Sequence, residues 1–169
     1  MTFLKDTNSG KLLKEIRANS PLIWNISNFV SMDIAANMLL SIGASPAMAH
    51  AIEEAESFAN LSKAINGALT INIGTFDKHW QKCAVKVANE AKLHDIPWVL
   101  DPVGAGASEF RSNNAKELLF LKPTVLRGNG SEIISISGIS NSGKGVDSTS
   151  SSNEALDLSL IHISEPTRH

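Results

Sequence analysis

The sequence has little of the chemistry on which several classes of protein depend. It contains one cysteine, Cys83, which excludes an internal disulfide and a cysteine-based zinc cluster. It has no dense run of lysine or arginine, and its net charge is −2, unlike a typical nucleic-acid binder. No apolar run approaches the roughly 18 residues that a membrane span needs, and charges stand near the N-terminus where a signal peptide would be apolar. We therefore expect a soluble, cytoplasmic protein that binds neither nucleic acid nor membranes.

The composition is globular in one part of the chain and polar in the other. Of the 169 residues, 43% are hydrophobic and 19% are charged, which is enough apolar material for one domain with a core. Residues 140–152, in contrast, include six serines and two glycines, and they bury too little apolar surface to offset their ordering entropy. We predict a domain at 1–139, and at 140–169 a serine-rich linker followed by a poorly ordered tail that is foreign to the fold.

Helical and extended patterns alternate along residues 11–138. In the clearest helix, 77–94, apolar residues recur at offsets of 3, 4, 7, 8 and 11 from Trp80 and form one stripe. Short apolar runs predict strands at 22–26, 45–49, 68–73, 97–100 and 123–126. This alternation predicts an α/β fold with a mostly parallel sheet and flanking helices. Neither G-x-G-x-x-G nor G-x-x-x-x-G-K-[ST] is present, so the two commonest nucleotide-binding motifs are excluded.

Ligands of parallel sheets bind at the carboxyl ends of the strands, so polar residues there are the first candidates. Asp101 ends one predicted strand and is followed by the loop PVGAGA at 102–107. The carboxylate suits Mg²⁺, and the glycines would let backbone N–H groups approach an anion. The alternative is that Asp101 caps a turn which proline and glycine shape. The motif by itself does not separate the two.

A second candidate group begins where the last predicted strand ends. Arg127 follows apolar residues, and Asn129 and Glu132 stand at the start of the next helix. An arginine, an amide and a carboxylate around a helix N-terminus are able to hold phosphate together with Mg²⁺. The same spacing is also that of a capping box, in which Asn129 is the N-cap and Glu132 the third helical residue. The two interpretations are compatible.

Two further candidates belong to the first and second predicted strands: Asn28 follows the first, and Met48 lies within the second. Asn28 is either a ligand contact or the N-cap of the next helix. Met48 follows the segment GASPA, and a methionine at an apolar position is most often part of a core. Cys83 lies on the apolar stripe of its helix, which indicates a structural role.

Five segments together resemble hydroxyethylthiazole kinases, in that family's order and spacing. They are ISNFVSMDIAAN at 26–37, GASPAM at 43–48, NIGT at 72–75, DPVGAGA at 101–107 and RGNGSEI at 127–133. The resemblance covers residues 10 to 139 and implies the ribokinase-like fold. It implies phosphorylation of 4-methyl-5-(2-hydroxyethyl)thiazole in thiamine salvage, with ATP as the phosphoryl donor and Mg²⁺ as cofactor. It also implies a homotrimer.

The resemblance assigns a role to each candidate residue. Met48 resembles the thiazole-contacting residue of the family, and Asn28 lies in the segment that lines the same pocket. Arg127 is similar to an ATP-phosphate contact. Asn129 and Glu132 resemble the Asn-x-x-Glu motif used around phosphate and Mg²⁺, and Asp101 resembles the acidic residue that joins it.

The family also has a later Ala-Thr-Gly-Cys-Ser segment that forms the anion hole for the transferred phosphoryl group. This sequence has no such segment, so we identify no catalytic residue and expect an N-terminal fragment with little or no kinase activity. Two alternatives remain: a non-catalytic module that binds thiazole or nucleotide, and a ribokinase-like kinase for another small alcohol.

Overall fold

The chain folds around a sheet of five parallel strands. The computed structural model describes residues 9–137, and the predicted linker and tail at 140–169 lie outside them. The strand order is β2-β1-β3-β4-β5, and every pairing is parallel, which confirms the predicted α/β class. The strands are β1 Leu22–Ile26, β2 Ser45–Ala47, β3 Ala68–Asn72, β4 Trp98–Asp101 and β5 Val125–Leu126.

Six α-helices precede, connect or follow the strands in the described range. They are α1 Ser9–Asn19, α2 Met32–Ile42, α3 Ala55–Ala64, α4 Lys78–Leu93, α5 Glu109–Phe120 and α6 Gly130–Ile136. A 3₁₀ turn, Ile52–Glu54, leads into α3. None of the helices in this part of the chain is long and apolar enough to cross a membrane.

One face of the sheet forms the core together with α3, α4 and α5. Alternate strand residues such as Trp24, Leu69 and Leu100 are fully buried against these helices. The predicted stripe of α4 is buried along its whole length. Each large apolar side chain that is fully buried contributes about 1.5–3 kcal/mol to the free energy of unfolding, so this face is the main source of stability. Burial, helped by the charge of Glu53, raises the pKa of the Cys83 thiol to about 11, as suits a structural cysteine.

Local signals in the sequence account for several element boundaries. Helix α2 ends at Gly43, whose φ of 93° lies in the left-handed region that glycine adopts without strain. Helix α4 begins after Asp77, whose side chain accepts a hydrogen bond from the backbone N–H of Trp80 at 2.8 Å. The last strand is shorter than predicted, since only Val125 and Leu126 have strand geometry.

The register of the sheet brings the carboxyl ends of neighbouring strands together. Asn72 of β3 pairs with Asp101 of β4, and Leu100 pairs with Leu126 of β5. Because all the strands run in the same direction, the segments that follow them meet at a single edge.

Candidate active site

Four side chains from four strand ends form a hydrogen-bonded row along this edge. We call Asn28, Asn72, Asp101 and Arg127 the polar row. Asn28 Nδ2 donates to Asn72 Oδ1 at 2.8 Å, and Asn72 Nδ2 donates to Asp101 Oδ2 at 3.0 Å. The guanidinium of Arg127 reaches the same Asp101 oxygen at 2.5 Å. Three residues predicted from strand ends thus come together through Asn72, a fourth that the sequence analysis did not select.

The ion pair at the end of the row joins a shielded carboxylate to an exposed cation. The Asp101 side chain is 14% exposed, whereas that of Arg127 is 73% exposed. Within residues 9–137, the second carboxylate oxygen, Asp101 Oδ1, accepts no hydrogen bond. Arg127 is therefore free to meet an anion from solvent, and Asp101 keeps one oxygen for a further ligand.

Glu132 anchors the N-terminus of α6 and is almost completely buried. Its Oε2 accepts from the backbone N–H of Asn129 at 2.9 Å, and Asn129 Oδ1 accepts from the N–H of Glu132 at 3.0 Å. This is the capping box that the spacing allowed. The other oxygen, Oε1, accepts from the N–H of Gly104 at 3.0 Å. Glu132 therefore ties the loop after β4 to the helix after β5.

The glycines of the 102–107 loop serve the backbone geometry of the loop. Gly104 and Gly106 have φ values of 75° and 93°, which other residues rarely adopt. Their N–H groups, expected to face an anion, instead donate to side chains: that of Gly104 to Glu132, and that of Gly106 to Ser112 Oγ at 2.9 Å. In this conformation both glycine N–H groups are hydrogen-bonded within the protein.

Arg111 of α5 is a second residue that the sequence analysis missed. Its guanidinium donates to the carbonyl oxygens of Ile73, Gly74 and Val103, the last two at 2.9 and 3.1 Å. It thereby joins the segments that follow β3 and β4. An arginine on a helix carries no local signal for such a role, whereas Asn72 does: it is a polar residue ending an apolar strand, like Arg127.

Asn28 and Met48 follow the neighbouring strands β1 and β2, whose register pairs Trp24 with Ala47. Asn28 is buried and Met48 is partly buried. The Asn28 side chain both joins the polar row and accepts from the N–H of Ser31 at 2.9 Å. The N-cap of α2 is Ser31, so the N-cap interpretation of Asn28 is wrong, whereas its contact with a ligand stays a prediction.

Aromatic rings lie close to these two segments. His50 stacks on Trp80 with ring centroids 4.5 Å apart, and Phe29 meets the same indole edge-on at 5.1 Å. Side chains at this end of the row are uncharged or aromatic, unlike the charged set around Asp101.

Comparisons with known proteins show the family of the chain. A family model described as "HK: Hydroxyethylthiazole kinase family" matches residues 13–164. A hydroxyethylthiazole kinase of Rhizobium rhizogenes is 52% identical over 142 residues, which are 84% of this chain and 52% of the relative. One from Leptospira interrogans is 51% identical over 152 residues, covering 88% of this chain and 55% of the relative.

The solved structures include a hydroxyethylthiazole kinase protein from Pyrococcus horikoshii OT3. It matches with a TM-score of 0.71 and 46% identity, over 76% of this chain and 49% of that one. The chain thus spans about half the length of the relatives it matches, and its parallel sheet is the ribokinase-like fold of that kinase. From the family match and the identity along most of its length, the chain belongs to the hydroxyethylthiazole kinase family.

Proposed function

We propose that the chain supplies the substrate-facing sheet edge of a kinase that phosphorylates the hydroxyethyl group of 4-methyl-5-(2-hydroxyethyl)thiazole with ATP. The observation that carries the proposal is the polar row, which joins residues from four strand ends in a member of this family. The reaction would serve thiamine salvage, and a cytoplasmic location, where ATP is available, belongs to the proposal.

Arg127 and Asn129 are the proposed ATP-binding residues. The exposed guanidinium of Arg127 offers charge-assisted hydrogen bonds to phosphate oxygens. Asn129 is the N-cap of α6 and is engaged in the capping box, so its proposed contribution is to hold the start of this helix beside the phosphates.

Asp101 and Glu132 are the proposed Mg²⁺ residues, and their chemistry fits the ion. Magnesium takes hard oxygen ligands and usually only one or two protein carboxylates. Asp101 keeps an oxygen without a hydrogen-bond partner among residues 9–137, whereas both oxygens of Glu132 accept backbone N–H groups. Asp101 is therefore the direct ligand in this proposal, and Glu132 shapes the site around it. The ion, when bound, would neutralise charge on the phosphates of ATP.

Asn28 and Met48 are the proposed thiazole-binding residues. The polar amide and the flexible thioether suit a small, uncharged, sulfur-containing ring, which gives no charge for an ion pair to recognise. The charged residues of the row stand on the opposite side, where the phosphates would lie.

A homotrimer is the proposed assembly. In the described part of the chain α2 has no buried residue. Its apolar side chains Ile34, Met38 and Leu40 are each at least 59% exposed. Such an apolar surface is typical of an interface between subunits. A shift towards monomer for Ile34→Glu in sedimentation velocity would support this assembly, and an unchanged distribution would contradict it.

The activity is tested with two proteins. One is the chain itself, and the other, the extended chain, joins residues 1–137 to the remaining part of the Rhizobium rhizogenes relative. We expect thiazole-dependent ADP release from the extended chain and little or none from the chain itself. If neither protein releases ADP but the chain binds the thiazole alcohol in calorimetry, the non-catalytic binding module is favoured. If both proteins bind another small alcohol more tightly than the thiazole alcohol and phosphorylate it faster, the substrate assignment is wrong.

A further inference from the structure

We infer that Asn72 is a positioning residue. Its side-chain amide fixes the position of Asn28, on the thiazole side, relative to Asp101, on the phosphate side. The inference deepens the proposed function and rests on it. It concerns a residue between the two substrate sides rather than a contact with either substrate.

The partners of Asn72 determine the orientation of its amide. The backbone N–H of Gly74 donates to Asn72 Oδ1 at 2.9 Å, and a backbone N–H can only donate. The atom it meets must therefore be the oxygen, which leaves the amino group facing the carboxylate of Asp101. The reversed amide would set one donor against another and an oxygen against a carboxylate.

The same reasoning determines the orientation of the Asn28 side-chain amide. The N–H of Ser31 donates to Asn28 Oδ1 at 2.9 Å, so the Asn28 amino group points at Asn72. The donors then all run in one direction, from Ser31 through Asn28 and Asn72 to Asp101. Hydrogen bonds aligned in this way polarise and strengthen one another.

The surroundings leave the row little freedom to rearrange. Asn28 is 8% exposed, so loss of its partner would strand a buried donor. A Cβ at Gly74 would lie 2.8 Å from Asn28 Nδ2, so the absence of a side chain there makes room for the contact. Arg111 holds the carbonyl of Gly74, which keeps this backbone in place. Among residues 9–137, only the side chain of Asn72 bonds both Asn28 and Asp101.

Two substitutions separate the two halves of this role. Asn72→Ala removes both side-chain bonds. Asn72→Asp keeps the oxygen that accepts from Asn28 and Gly74 but replaces the donor to Asp101 with a second carboxylate. The matched control is Asn89→Ala. Asn89 is an exposed residue of α4, and its side-chain amide donates a hydrogen bond to the carbonyl oxygen of Val85 at 2.8 Å.

The experiment measures calorimetric binding of the thiazole alcohol and of MgATP to the full chain and its variants. We expect Asn72→Ala to weaken both ligands about tenfold, the loss of roughly one buried hydrogen bond to each side. We expect Asn72→Asp to leave thiazole binding within about twofold but to weaken MgATP at least tenfold, since the new carboxylate displaces Asp101 and repels phosphate. Asn89→Ala should bind both ligands as the unmodified chain does.

A purely structural role for Asn72 predicts equal losses for both ligands in both variants, and that result would overturn the inference. Unchanged binding in Asn72→Ala would overturn it as well. Failure of the unmodified chain to bind either ligand would instead contradict the proposed function. In that case the Asn28 side-chain amide resonances of the ligand-free chain decide whether the row exists: they should move in Asn72→Ala and stay near their positions in Asn72→Asp.

Discussion

The two ends of the polar row differ in charge and in how their side chains are held. At the β1–β2 end, Asn28 and Met48 are uncharged, and Asn28 is held by another side chain and by the N–H of Ser31. At the β4–β5 end, Asp101, Arg127 and Glu132 are charged, and Glu132 is held by backbone N–H groups on both oxygens. The difference matches the proposed ligands, because a neutral ring is selected by shape and single hydrogen bonds, whereas phosphate is selected by charge.

The charged end itself divides into an exposed part and a buried part. Arg127 offers most of its side chain to solvent, whereas Glu132 is 8% exposed. Water and salt screen the exposed Arg127, so its ion pair with Asp101 is worth little in stability, and the role that we propose for it is in binding. Glu132, in contrast, stabilises the loop and helix on which the site is built.

Replacement of Arg127 by alanine should give the largest effect on function. In the extended chain we expect kcat/KM for ATP to fall by about 30-fold to 1000-fold, or 2–4 kcal/mol, since a charge-assisted contact with phosphate is lost. The KM for the thiazole alcohol should change by no more than about twofold. Lys92→Ala, an exposed substitution in the last turn of α4, is the control. Unchanged ATP kinetics in Arg127→Ala would remove Arg127 from the site.

Replacement of Glu132 by alanine should give the largest effect on stability. It leaves the N–H groups of Gly104 and Asn129 without their acceptor, so we expect the free energy of unfolding to fall by about 2 kcal/mol. Urea denaturation of the full chain measures this, with the exposed Glu15→Ala on α1 as control. Equal midpoints for the two variants would contradict the anchoring role of Glu132.

Replacement of Met48 by alanine tests the uncharged end. We expect affinity for the thiazole alcohol to fall about fivefold, the loss of part of one apolar side-chain contact, with MgATP affinity unchanged. Leu93→Ala at the end of α4 is the control, because Leu93 is 74% exposed and lies outside the polar row. If the two variants bind thiazole equally well, Met48 is a structural residue.

Salt should produce the smallest effect and should separate the two ends without any substitution. Raising the ionic strength shortens the Debye length from about 10 Å at 0.1 M to about 3 Å at 1 M. We expect MgATP affinity to fall a few-fold over this range, whereas thiazole affinity changes little. Equal salt dependence of the two ligands would show that the proposed division of the site is wrong.

Much of the local structure was predictable from neighbouring residues. The N-cap Asp77, the helix stop at Gly43 and the capping box of Asn129 and Glu132 all depend on spacings within one turn or one helix. The strand ends were predictable as well, because alternating strands and helices require a parallel sheet. This placed Asn28, Asp101 and Arg127 at one edge before their contacts were known.

The role of Asn72 depended on register. Its bond to Asp101 exists because these two residues pair across β3 and β4, and its bond to Asn28 spans 44 positions of sequence. A shift of either strand by one residue would turn these side chains to opposite faces. The engagement of the Gly104 and Gly106 N–H groups likewise required the positions of α5 and α6.

Helices α2 and α4 illustrate what the sequence by itself determined and what only the tertiary structure decided. The sequence determined that both form helices, and for α4 it determined which stripe is apolar. The tertiary structure decided that the stripe of α4 is fully buried, whereas α2 buries no residue in the described part of the chain although it is rich in apolar side chains. The physical reason is that periodicity sets the direction of a side chain on its own element, whereas burial and hydrogen bonding depend on which other element, distant in sequence, packs against it.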